Sequence, residues 1–111
     1  MRLIIAGGRD FKDYSVLCQS MTRFTPEVIF CGKARGADTL GEKWAIQNGV
    51  KIEYYPALWE KHGATAGPIR NAEMAKNATH LLAFHDGKSR GTAHMIKVAK
   101  QKGLSVEIIS Y

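Results

Sequence analysis

Apolar residues along this chain gather in five short, nearly continuous runs separated by longer amphipathic stretches. The runs are Arg2–Ala6, Val28–Cys31, Lys51–Tyr55, His80–Phe84 and Ser105–Ile109, rich in Leu, Ile, Val and aromatic side chains with little strict polar alternation. A strand with one wet face alternates, so these runs predict strands covered on both faces, as in a parallel sheet between helices. In the intervening stretches the apolar positions recur at helical spacing. Asp13 is placed to cap a helix over Tyr14–Phe24 that turns Val16, Leu17, Met21 and Phe24 inward. A second helix over Ala37–Asn48 carries Leu40 and Trp44 on one face and stops at Gly49. A third over Gly67–Ala78 places Ile69, Ala72, Met74 and Ala75 inward, and a fourth over Gly91–Lys102 carries Met95, Val98 and Ala99 and ends at Gly103. Residues 56–66 form the one long connection, where a functional loop or lid is expected.

Strands alternating with helices through short links imply right-handed crossovers and a three-layer α/β sandwich with a five-stranded parallel sheet. The 111 residues suit one domain, residues 1–111, and leave no room for a second. The expected strand order is 3-2-1-4-5, reversing between the first and fourth strands. In open sheets of this kind ligands bind beyond the C-terminal ends of the strands, at the point of reversal.

Composition narrows the picture further. With 45% hydrophobic residues and no low-complexity run, the chain can bury a core. No apolar stretch approaches the roughly 20 residues that span a bilayer. The opening apolar run meets Gly7 and Gly8 too soon for a signal peptide, so a cytoplasmic location without membrane partners is expected. Cys18 and Cys31 have neither disulfide density nor metal-ligand spacing and read as buried thiols. His62, His80, His85 and His94 lack the HxxxH spacing of a zinc site, and neither a metal nor a cofactor is expected. The net charge of +6 favours an anionic partner. Part of that excess, Lys97, Lys100 and Lys102, sits on the last helix, as a solvated face or a nucleic-acid patch.

Candidate chemistry sits where strands end. The first strand runs into Gly7-Gly8-Arg9-Asp10-Phe11. Two glycines there allow a tight turn and expose backbone N–H groups to an anion, and Arg9 can add a bidentate guanidinium; a purely structural turn fits equally well. The fourth strand is followed by His85-Asp86-Gly87-Lys88-Ser89-Arg90-Gly91-Thr92 and then a helix. Asp86, Gly87, Ser89, Gly91 and Thr92 bring small residues, hydroxyls and a helix N-terminus that favours negative charge, which points to phosphate or carboxylate binding. The Walker spacing is absent, so Mg-nucleotide hydrolysis is not implied. The second strand leads into Gly32-Lys33-Ala34-Arg35-Gly36-Ala37-Asp38, another glycine-bracketed turn into a helix. Asp38 either stabilises the helix dipole or meets a ribose hydroxyl. Arg70 and Asn71 follow Ala66-Gly67-Pro68 at the start of the third helix, where an arginine opposes the dipole unless an anion is present. Trp59 in the long connection either stacks on a base or anchors the loop, and His62 shares the first option. No Ser/His/Asp or Cys/His constellation stands out.

Taken together, GGRDF at Gly7–Phe11, GKARGAD at Gly32–Asp38, Trp44-Ala45, Pro56-Ala57-Leu58-Trp59, AGPIRN at Ala66–Asn71 and DGKSRGT at Asp86–Thr92 are collinear over nearly the whole chain. In these features the sequence resembles the DUF2493 family, the YspA-like branch of the SLOG superfamily named for the Smf/DprA and Lonely-guy proteins. The resemblance implies a Rossmann-like fold, a pocket for a nucleotide or nucleotide derivative, a bacterial or phage origin and a homodimer. Lonely-guy enzymes cleave the N-glycosidic bond of nucleoside monophosphates with a PGGxGTxxE motif. Gly91-Thr92 matches its Gly-Thr, but Met95 stands where the glutamate would be. A protein that senses or sequesters a nucleotide-derived ligand is therefore the leading expectation. An enzyme acting at an N-glycosidic or phosphoester bond, with Asp38 as candidate catalytic carboxylate, is the alternative, with Asp10 or Asp86 as further possible carboxylates. Single-stranded DNA binding of the Smf/DprA type is the third.

Overall fold

The computed structural model describes residues 1–32 and 35–111. In chain order its elements are β1 (Arg2–Gly7), α1 (Tyr14–Met21), β2 (Val28–Cys31), α2 (Ala37–Gln47), β3 (Lys51–Tyr54), the single turn α3 (Trp59–His62), a 3₁₀ turn (Gly63–Thr65), α4 (Ala66–Asn77), β4 (His80–His85), α5 (Arg90–Gln101) and β5 (Ser105–Ser110). The strands form one parallel sheet in the order β3-β2-β1-β4-β5, and the fold is a Rossmann-like three-layer α/β sandwich.

Each face of the sheet has its own core, set by the alternation of side chains along the strands. Leu3, Ile5, Ile29, Cys31, Leu82 and Phe84 point to the face covered by α1 and α2, where they meet Leu17, Met21 and Ala45. Ile4, Ala6, Phe30, Leu81 and Ala83 point the other way, to Met74 and Ala75 of α4 and Met95, Ile96 and Ala99 of α5. The switch between the two helix layers therefore falls between β1 and β4. Continuous burial holds for the central strands β1, β2 and β4, whereas β3 and β5 are edge strands, half-exposed along their lengths.

Local signals set several helix ends. Asp13 Oδ1 accepts from the Val16 N–H at 3.1 Å and caps α1, as its position predicts. That helix stops at Met21 rather than Phe24, because the chain tightens there: Thr22 N–H bonds to Gln19 and Phe24 N–H to Met21. Gly49 and Gly103 both adopt positive φ just past α2 and α5, ending those helices.

The third predicted helix needs correction. It begins at Ala66, and its inward stripe is Ala66, Asn71, Met74 and Ala75, with Ala78 just beyond its end, so Ile69 and Ala72 face outward. The stripe passes through polar residues because it crosses a cleft before it reaches the core. The connection at 56–66 is likewise not irregular throughout but carries α3 and the 3₁₀ turn. Cys31 is a buried thiol as expected; Cys18 is only partly buried.

Candidate functional site

Two loops leave the sheet side by side at the switch point. β1 pairs with β4 up to Gly7 opposite Phe84, and the Gly8 N–H extends the pairing by donating to the Phe84 carbonyl at 3.2 Å. Between these loops and the first turns of α4 and α5 lies a cleft of about 680 Å³. Small-molecule sites typically occupy roughly 300–1,000 Å³. Its wall takes Ala6, Gly7, Gly8, Arg9 and Asp10 from β1 and its loop, Asp38 from α2 and Trp59 from α3. α4 contributes Gly67, Pro68, Arg70, Asn71 and Met74, and the β4–α5 segment contributes Asp86, Ser89, Arg90, Gly91, Thr92, His94 and Met95.

Twelve residues singled out from the sequence thus come together: Gly7, Gly8, Arg9, Asp10, Asp38, Trp59, Arg70, Asn71, Asp86, Ser89, Gly91 and Thr92. Gly32, Arg35, Gly36 and Gly87 do not reach the wall. Gly32 and Gly36 serve packing instead. The Gly8 carbonyl accepts from the N–H groups of Phe11 at 3.2 Å and Ala37 at 3.4 Å, which ties the first residue of α2 to the loop after β1. Gly36 makes this approach possible: its φ is +75°, and a Cβ on it would fall 2.2 Å from the Gly8 carbonyl oxygen. Arg35 is exposed outside the cleft, and Gly87 sits in an exposed turn. Lys33 and Ala34, part of the same motif, lie outside the described residues.

The loop after β4 is organised by the side chains expected to meet an anion. Asp86 Oδ1 accepts from the N–H groups of Lys88 at 2.8 Å and Ser89 at 2.9 Å, and these bonds hold its carboxyl below the ordinary aspartate value. Ser89 caps α5 by accepting from the Thr92 N–H at 3.3 Å, and the two hydroxyls lie 3.0 Å apart. Position in the first turn leaves the Arg90 and Gly91 N–H groups without an intrahelical acceptor. Asp10 is held from outside: Tyr111 donates its hydroxyl to Asp10 Oδ1 at 2.5 Å while its ring packs edge-on against Phe11. Burial, and then this carboxylate, push the Tyr111 phenol well above its ordinary value.

Arg70 differs most from its predicted role. Because α4 starts at Ala66, Arg70 lies a full turn inside the helix, and the dipole argument for an anion beside it no longer applies. Its guanidinium bonds protein acceptors instead: Nη1 donates to the carbonyls of Gly32 at 2.5 Å and Tyr55 at 3.4 Å, and Nε donates to Asn71 Oδ1 at 3.0 Å. Burial lowers the Arg70 guanidinium from its ordinary value, the Asp38 carboxylate raises it in part, and Arg9 lowers it again. Arginine remains charged throughout this range. Asn71, only 5% exposed, turns its amide nitrogen to the Gly91 carbonyl at 3.3 Å and to His94 Nδ1 at 3.1 Å. Trp59 is 53% exposed and rests against the first turn of α4, with its ring 3.5 Å from where a Gly67 Cβ would stand.

His94 and Arg90 were not singled out from the sequence as part of the site. The signal for His94 was present: it follows Gly91 by three residues and precedes Val98 by four, on the stripe that also carries Met95. Among the described residues, no three His, Cys, Asp or Glu side chains converge as metal ligands, and no helix is long and apolar enough to cross a membrane.

Comparison with known proteins places this geometry in context. Residues 1–62 match the model of a family described as "YspA, cpYpsA-related SLOG family". The Gene 61 protein of Mycobacterium phage D29 is 38% identical over 117 aligned positions, which cover 95% of this chain and 93% of that protein.

Proposed function

The chain belongs to the YspA, cpYpsA-related SLOG family, and from that premise we propose that it binds a nucleotide or nucleotide-derived ligand in the cleft between β1 and β4, as a cytoplasmic sensor or sequestering protein. One observation carries the reading: the cleft lies at the switch point and combines cationic and apolar linings. Arg9 and Arg90, with the first turn of α5, offer charge-assisted donors to a phosphate, and Arg70 adds positive charge to the wall from behind its bonds to Gly32, Tyr55 and Asn71. Trp59 and Pro68 offer the apolar surface that a base or sugar face requires, with the buried Met74 and Met95 forming the floor beneath. Gly7 and Gly8 bring backbone to the wall, Gly91 leaves open space at the first turn of α5, and Asp38 is the acceptor suited to a ribose hydroxyl. Asn71, Asp86, Ser89 and Thr92 support the site by shaping its walls. Placement within DUF2493 and a homodimeric state extend the same proposal.

Binding without turnover fits the wall better than hydrolysis. Met95, at the position of the Lonely-guy glutamate, is 1% exposed and belongs to the apolar core under α5. An enzymatic reading would rest on Asp38, which lines the cleft within electrostatic reach of Arg70.

The test is native mass spectrometry of purified protein for a co-purified ligand, followed by calorimetry with AMP, GMP, CMP and UMP. Binding should quench Trp59, and Trp59→Phe should remove that signal while Trp44 fluorescence persists. Absence of bound ligand and of any heat with all four, together with strongly salt-dependent binding of single-stranded DNA, would overturn the reading.

A further inference from the structure

The bonds around Asn71 determine more than its own orientation. Arg70 Nε carries a hydrogen and can only donate, so the atom of Asn71 facing it at 3.0 Å must be the carbonyl oxygen. The amide nitrogen then faces the Gly91 carbonyl at 3.3 Å, which can only accept, and both constraints agree on one amide orientation. That same nitrogen lies 3.1 Å from His94 Nδ1. A nitrogen that brings a hydrogen to Nδ1 requires a lone pair there, since a proton on Nδ1 would set two donors against each other. The neutral ring of His94 must therefore carry its proton on Nε2. His94 lines the cleft, and among the described residues Nε2 has no protein partner and is not buried without one.

We propose that His94 is a ligand-binding residue of the cleft, locked by Arg70 and Asn71 as an Nε2–H donor to an anionic phosphate oxygen of the ligand. This deepens the nucleotide-binding reading and rests on it. Phosphate oxygen is the chemistry that fits, because Nε2 offers a hydrogen and no lone pair in this tautomer. The adjoining donors, the first-turn N–H groups of α5 and the Arg90 side chain, also seek an acceptor. Arg70 thereby acts at one remove: it positions Asn71, which positions the ring.

Two measurements on the full chain test this. Long-range ¹H–¹⁵N correlation on the free protein, assigned with His94→Gln, reads the tautomer directly. A protonated Nε2 and bare Nδ1 are expected, and a neutral ring protonated at Nδ1 would overturn the lock. Calorimetry with the tightest-binding of AMP, GMP, CMP and UMP then reads the ligand role. His94→Phe should weaken binding about tenfold, the scale of one charge-assisted hydrogen bond. His94→Gln, whose amide can place a hydrogen near the Nε2 position, should recover most of that loss, while His94→Asn should not. The parent nucleoside should bind wild type and His94→Phe alike. Equal affinity of the monophosphate for wild type and His94→Phe would overturn the role of His94 alone. No binding of any of the four by the wild-type protein would overturn the nucleotide reading and the ligand role with it, whatever the tautomer.

Discussion

Arg70 fills the space that a side chain at position 32 would take. The Gly32 carbonyl accepts from Arg70 Nη1 at 2.5 Å, and a Cβ on Gly32 would lie 2.2 Å from that same nitrogen. This contact joins the end of β2 to the middle of α4, across 38 positions of sequence. It explains why a glycine stands at position 32 although Gly32 does not line the cleft.

The first prediction separates two arginines that the sequence alone treats alike. Arg70→Ala should cost about 2 kcal/mol of folding stability, because a half-buried charged group loses bonds to Gly32, Tyr55 and Asn71. Gly32→Ala should reproduce part of that loss. Arg9 is exposed, so Arg9→Ala should leave stability within about 0.5 kcal/mol yet weaken nucleotide binding by about 1.5–3 kcal/mol. Urea denaturation and calorimetry on the three variants check this, and a large stability loss in Arg9→Ala would contradict it.

Two cleft glycines should behave differently when replaced by valine. A Cβ on Gly7 would lie 2.6 Å from the Phe84 carbonyl oxygen and 2.7 Å from the Ala37 Cβ, so Gly7→Val should disrupt the packing of β1 against β4 and α2. Nothing lies within 4 Å of a Cβ on Gly91, which projects from the first turn of α5. Gly91→Val should keep a native circular dichroism spectrum and lose ligand by narrowing the cleft. Native-like folding of Gly7→Val would show that the C-terminal end of the central strand accommodates more than these distances allow.

Acid should loosen the loop after β4. The N–H bonds from Lys88 and Ser89, and to a lesser extent His85, keep the folded-state value of Asp86 below its unfolded one. Its contribution to stability is therefore complete above the unfolded value, near pH 4, and disappears as pH falls through the lower folded value. Asp86→Asn keeps an acceptor for both N–H groups but cannot titrate. Its melting temperature should fall less than that of wild type between pH 5 and pH 2, with Asp86→Ala lower than both at neutral pH. Parallel pH profiles for wild type and Asp86→Asn would exclude the loop as the source.

Chemistry at the glycosidic bond should be absent. A thioether neither holds charge nor transfers protons, and Met95 is buried in the core. Incubation with AMP, GMP, CMP and UMP followed by chromatography should release no more free base than Gly91→Val does. Release that persists in wild type and vanishes in Asp38→Asn would assign the reaction to Asp38 and reverse the proposed function.

Much of the fold was legible because it rests on local physics. Runs such as Val28–Cys31 suit buried strands, Asp13 stands where an N-cap is favoured, and Gly49 and Gly103 mark positions where the backbone turns left-handed. The strand order 3-2-1-4-5 is the one expected, though neither periodicity nor crossover handedness encodes it; given that order, the switch-point rule puts the cleft beside Gly7, Gly8 and Gly91. The division of labour inside the cleft was not legible. Whether a glycine meets a ligand or another backbone depends on how closely two loops approach, as Gly36 does Gly8 across a gap no periodicity encodes. Whether an arginine faces an anion or a carbonyl depends on where its helix begins and which strand ends lie beneath, as Gly32 and Tyr55 lie beneath Arg70. By itself the sequence determined where the buried strands lie and where the chain turns, because those follow from side-chain polarity and backbone sterics along the chain. Only the tertiary structure decided which polar groups satisfy one another and which, like His94 Nε2, remain open to the cleft, because hydrogen bonds between distant segments exist only once the layers have packed.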